Sequence, residues 1–180
     1  MTGGEAGGRS YYGKYAGVVI DNLDPEMRGR LLVEVPGVLG PAPSSWAEPC
    51  VPLAGATGVA MGVYLVPPVG AGVWVEFAQG DPERPIWVGC RWGSTADLPE
   101  LALAGLPATP SIVLQTATTN TIAISDVPGP AGGIMVRVGA SVLTVTDDGI
   151  TLTAPKVEIT ATTISLTGVT DINDGALHVT

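Results

Sequence analysis

The sequence predicts an all-β chain in two parts, a small closed barrel and then a narrow repeat segment. Three observations predict it. Glycine and proline are frequent, 25 and 16 of 180 residues, while charged residues are only 14%; this balance suits turn-rich sheets better than helices. All nine aromatic residues (Tyr11, Tyr12, Tyr15, Trp46, Tyr64, Trp74, Phe77, Trp87 and Trp92) precede residue 93, and the last 88 residues have none. Finally, the C-terminal part can be written in sevens with apolar residues two apart. The expected divisions are a tail over 1–10, a barrel over 11–92, a linker over 93–110 and the repeat segment over 111–180.

Five strands are expected in the first part. Tyr15–Ile20 is rich in β-branched residues, and Gly29–Val35 is stopped by Pro36. Ala60–Val66, Gly72–Phe77 and Pro85–Gly89 follow. The joints Asp24-Pro25, Pro36-Gly37, Pro67-Pro68 and Gly80-Asp81-Pro82 are strong turn formers. In Val73-Trp74-Val75-Glu76-Phe77, strand alternation puts Val73, Val75 and Phe77 on one face and Trp74 and Glu76 on the other. Five short strands with glycine-rich turns suit an OB-type Greek-key barrel.

The repeat runs LTVTDDG (143–149), ITLTAPK (150–156), VEITATT (157–163) and ISLTGVT (164–170). Each unit is apolar at its first and third positions, the period of a strand and not of a coiled coil. Its Thr, Val and Ile content favours strands. A strand of three or four residues cannot bury its apolar face alone, so such units need stacked neighbours. With no aromatics, one chain supplies too little core. The pattern therefore predicts three chains wound into an intertwined trimeric β-helix, a triangular β-prism with Ile, Leu and Val inside.

The net charge is −9, and the basic residues Arg9, Lys14, Arg28, Arg30, Arg84, Arg91, Arg137 and Lys156 do not cluster. This argues against nucleic acid and anionic membrane surfaces as partners. The 27 residues Pro49–Val75 carry no charge. Their glycines and the Pro67-Pro68 pair indicate buried strands joined by turns, not a membrane span. The N-terminus lacks the pattern of a signal peptide, so synthesis in the cytoplasm and carriage by a larger assembly are expected. Cys50 and Cys90 have no metal-motif spacing; they are expected to be small buried hydrophobes, with a disulfide as the lesser alternative.

These residues resemble a known family. Gly13-Lys14-Tyr15, Asp24-Pro25, Arg28-Gly29-Arg30-Leu31 and Val33-Glu34-Val35-Pro36 are similar to the opening of the OB domain of phage baseplate spikes. The stretch Leu65–Gly89, with its hairpin Gly80-Asp81-Pro82-Glu83-Arg84-Pro85, resembles the rest of that domain. The heptads and the closing Asp171–Leu177 look like the spike β-helix and its end. The family is the baseplate assembly protein V and VgrG-like central spike of contractile injection machines. The resemblance implies a homotrimer that caps the inner tube, with the OB side facing a hub protein and the β-helix pointing at the target membrane. It also implies a PAAR-like tip protein at the C-terminal end. The short segment between the two parts leaves no room for a lysozyme domain, and the short N-terminal tail implies a separate hub.

No catalytic constellation is visible, so no enzyme and no cofactor are expected. The single histidine, His178, lacks the second histidine of the His-x-His pair that holds iron in some spike tips. Three copies meeting on an axis are a remaining metal alternative. Asp171, Asn173, Asp174, Gly175 and His178 are the candidate tip-docking residues, set against an ordinary terminal turn. Asp147-Asp148-Gly149 is read as a hairpin turn and less as a calcium loop. Asp81 and Arg84 either pair across their hairpin or are solvated. The alternative function is a trimeric carbohydrate- or ligand-binding OB module with a β-helical trimerisation tail, presenting Tyr11, Tyr12 and Trp46.

Overall fold

The structure is a computed structural model that describes residues 9–103, 109, 111–127 and 132–170. Two compact units meet in sequence between Leu98 and Pro99. Both are built of strands.

The first unit contains β1 (Tyr15–Asp21), β2 (Leu32–Glu34), a four-residue helix α1 (Pro36–Leu39), β3 (Glu48–Pro49), β4 (Gly72–Phe77) and β5 (Pro85–Arg91). The sheet order is β2-β1-β4-β5-β3. Every pairing is antiparallel except β3 with β5, which is parallel. Leu31 and Ala47, just ahead of β2 and β3, exchange backbone hydrogen bonds of 3.1 and 2.7 Å. That bridge joins the two outer strands and closes the ring in the connectivity of an OB barrel. Register shifts between Val19 and Asp21 on β1 and between Trp74 and Val75 on β4 supply the curvature that closure needs.

The barrel core is Val19, Leu31, Val33, Val35, Ala47, Val73, Val75, Phe77 and Trp87. The alternation along β4 is as its sequence predicts, with Val73, Val75 and Phe77 buried and Trp74 outward. Tyr11, Tyr15 and Phe77 form an aromatic group at the edge of this core, with centroids 5.7–6.2 Å apart.

Two expectations for this unit are corrected. Ala60–Val66 is not a barrel strand; residues 60–65 form one side of an exposed arm that touches Leu53 and Ala54 through the single bridge Ala54↔Gly62, while Val66 packs against the barrel core. The reason is topological: both sides of β4 are occupied, by β1 and β5, so the uncharged run finds no free edge to join. Most of residues 50–65 are consequently exposed, not buried. Cys50 and Cys90 are also exposed, and both are free thiols. They lie at the outer ends of β3 and β5, beyond the packed core.

The second unit is an antiparallel meander. It comprises β6 (Ser111–Gln115), β7 (Thr121–Ser125), β8 (Gly133–Val138), β9 (Ser141–Thr146) and β10 (Gly149–Thr153), in that spatial order. The first two heptads form the β9–β10 hairpin within one chain, with Asp147 and Asp148 as its turn. Residues 154–170 form no strand within the chain.

Candidate functional site

The register of the meander organises its apolar residues. Ile112, Ile124, Ile134, Val145 and Ile150 stand directly opposite one another across all five strands. Leu114, Ile122, Val136, Leu143 and Leu152 make a second such row. Side chains two apart share a face of a sheet, so these ten aliphatics form one continuous surface. All ten are exposed in the single chain, from 36% at Val145 to 73% at Ile150. Soluble proteins rarely leave so large an apolar patch uncovered.

The opposite face is different in kind. It mixes Val113, Ala123, Met135 and Val142 with Thr121, Arg137 and Thr144; Thr121 and Ala123 are buried and Val113, Met135 and Val142 are half-buried. The short 3-10 turn Glu100–Leu103 packs beside β6, and Arg137 pairs with Glu100 at 3.4 Å. The chain thus covers part of this face, around β7, and leaves the aliphatic face open. Beyond β10, Val157, Ile159, Ile164 and Leu166 continue the two-apart pattern and are likewise exposed. Sequence reasoning found the β9 and β10 members of this face but not those of β6, β7 and β8. The missed signal was the same alternation in SIVLQ, TIAIS and GIMVRV, which lies outside the heptad frame.

In the barrel, the loop from Asp24 to Arg30 is closed by a nearly buried ion pair. Asp24 accepts hydrogen bonds from the backbone N–H groups of Glu26 (2.9 Å), Arg28 (2.8 Å) and Arg30 (3.2 Å). It also accepts from Arg30 Nε at 3.0 Å and Nη2 at 2.6 Å. The Arg30 guanidinium holds the Asp24 carboxyl well below the usual carboxylate range, against the opposing effect of burial, and the three N–H donors act in the same direction as Arg30. Arg30 lies 5.7 Å from the centroid of the Trp46 ring. Trp87 Nε1 donates to the Gly29 carbonyl at 3.0 Å, tying the loop to the core. The sequence showed these residues as a motif without showing that they bond to one another.

The Gly80–Pro85 hairpin is also a backbone device. Gly80 has φ +79°, and its carbonyl accepts from Tyr11 N–H at 2.8 Å. Asp81 accepts from Glu83 N–H at 3.0 Å, and the Arg84 carbonyl accepts from Ala78 N–H at 2.9 Å as Pro85 opens β5. Asp81 and Arg84 form no ion pair among the described residues. Tyr11, Tyr12 and Trp46 do not form a shared platform. Tyr11 packs on Tyr15 and Phe77, Trp46 is half-buried beside Arg30, and only Tyr12 is exposed. Asp171, Asn173, Asp174, Gly175 and His178 lie outside the described residues. Among the described residues, no cluster of three or more His, Cys, Asp or Glu side chains is arranged to hold a metal ion. No helix among them is long and apolar enough to cross a membrane.

Residues 15–92 match the family described as the type VI secretion system and phage-baseplate injector OB domain. Residues 111–178 match the phage baseplate V C-terminal trimerisation domain. No curated protein matches the chain.

Proposed function

Starting from the fact that the chain belongs to the baseplate V family of phage and type VI secretion injectors, we propose that it is the central spike of a contractile injection machine, piercing the target envelope mechanically. The coarse role is that of a spike-type structural protein of a phage or injection particle, and the trimerisation domain makes it a homotrimer. The observation that carries the finer reading is the ten-residue aliphatic face of the meander. Three such faces turned toward one axis bury each other and leave the mixed opposite faces, which carry Thr121, Arg137 and Thr144, outward. The result is a three-sided prism with a dry core.

Below the meander the chain changes mode. Residues 154–170 have no strand partner of their own, yet keep apolar residues two apart. In the proposal these heptads pair with the other two chains, so that the intertwined β-helix begins past β10 and the shaft above it is three separate sheets. Winding the strands between chains covers edges that would otherwise recruit other proteins. Stiffness comes from the buried ladder, and no bond is made or broken, so the reading is non-enzymatic. The OB barrel faces a hub protein below the inner tube. The C-terminal end, with Asp171, Asn173, Asp174, Gly175 and His178, receives a PAAR-like tip. The Gly80, Asp81, Arg84 and Pro85 hairpin keeps the barrel's shape and is not itself the docking chemistry.

The test is made on assembled particles. Particles carrying Ile164→Asp with Leu166→Asp should contract but fail to release dye from target vesicles. Undiminished release by particles shown to contain the variant overturns the piercing role.

A further inference from the structure

The arm of the barrel carries an inference separate from the sheet face. Residues 50–66 leave the barrel after β3 and return before β4 with no charged residue. Hydrogen bonds from Gly55 N–H to the Met61 carbonyl (2.6 Å) and from Val63 N–H to the Leu53 carbonyl (3.0 Å) make it a loose hairpin. Leu53, Val59 and Met61 are 47–59% exposed on it. Elsewhere on the same barrel Val18, Ile20 and Trp74 point outward from β1 and β4, each more than a third exposed. The register puts Trp74 opposite Ala16 and Gly89, which leaves the indole standing above two small residues.

We infer that in the homotrimer the arm of each chain packs against the Val18, Ile20 and Trp74 surface of the neighbouring copy. The inference rests on the trimeric reading and extends it to the barrels. Each chain has a net charge of −9, so copies repel one another on balance, and a contact made through the uncharged arm brings no like charges together. One patch given and one received is a heterologous contact, which closes into a ring under threefold symmetry. The trimerisation domain already holds the three barrels at high effective concentration, so a modest contact suffices.

Hydrogen–deuterium exchange on the full-length protein tests this, with mass measured by light scattering. The wild type is compared with a Val59→Arg, Met61→Arg double variant. If the arm is buried between copies, the amides of residues 53–65 exchange slowly in the wild type. They exchange about a hundredfold or more faster in the variant, whose trimer persists through its second unit. Equal, fast exchange of the arm in two proteins that both have trimer mass overturns the inference and leaves the arm as a surface for a different protein. A monomer mass for the wild type overturns the trimer itself, and the arm contact with it.

Discussion

Ile134 occupies the middle strand of the exposed face, directly opposite Ile124 and Val145. Its substitution tests whether that face is the trimer core. Fully burying an isoleucine side chain is worth about 1.5–3 kcal/mol. In the single chain Ile134 remains 45% exposed. Roughly half of that energy is therefore gained only on assembly, about 1 kcal/mol per chain and about 3 kcal/mol for three symmetric copies. Ile134→Ala should weaken association by roughly a hundredfold, and any cavity left in the prism adds to this. Ile134→Asp is more severe, because it places three carboxylates in a dry core. The assay is sedimentation velocity over serial dilution. All four tryptophans lie in the first unit, so the cooperative unfolding transition seen by intrinsic fluorescence reports whether the barrel is folded. The expected result is dissociation of Ile134→Ala at concentrations where the wild type is trimeric, loss of the trimer in Ile134→Asp, and a cooperative barrel unfolding transition retained in both. Wild-type trimer mass for Ile134→Asp across the whole dilution range would refute the reasoning.

Other consequences concern the barrel and the meander. Asp24 has its carboxyl pKa lowered in the folded state, so its stabilisation is complete above the ordinary value of 3.8 and is lost as pH falls through the lower folded value. Asp24→Asn removes that dependence and leaves the nearly buried Arg30 with only the exposed Glu26 carboxylate, at 3.1 Å. The variant should have a lower thermal midpoint at neutral pH and a flatter profile below about pH 4, and parallel profiles would contradict this. Trp87→Phe deprives the buried Gly29 carbonyl of its donor at 3.0 Å. It should cost about 1–3 kcal/mol in urea unfolding of the barrel. Gly133 has φ +87°, and a Cβ there would lie 2.0 Å from the Val145 carbonyl oxygen. Gly133→Ala must displace the start of β8 against β9, and circular dichroism should show a less stable second unit, whereas Gly139→Ala, with open space around it, meets only the backbone strain of its positive φ.

Much of the fold was legible because alternation is a local property. Val73, Val75 and Phe77 declare their face within five residues, as do Leu143 and Val145. The two-residue β3 was not legible, since a strand that short exists only because β5 lies beside it. The arm was misread for a related reason. Its lack of charge resembles burial, but burial requires a free sheet edge and β4 offers none. Asp24 and Arg30 are visible as residue types, but their bond depends on a loop that folds back to aim three N–H groups at one carboxylate.

By itself the sequence determined the strand periodicities, the change of core material at residue 93, and the need of the C-terminal segment for neighbours. These follow from side-chain size and spacing along one chain. Only the tertiary structure decided which strands share an edge, how the Leu31–Ala47 bridge closes the barrel, and that two rows of five aliphatics align on one open face. Register is a relation between strands distant in sequence, and a slip of one residue would have turned that face to the other side of the sheet.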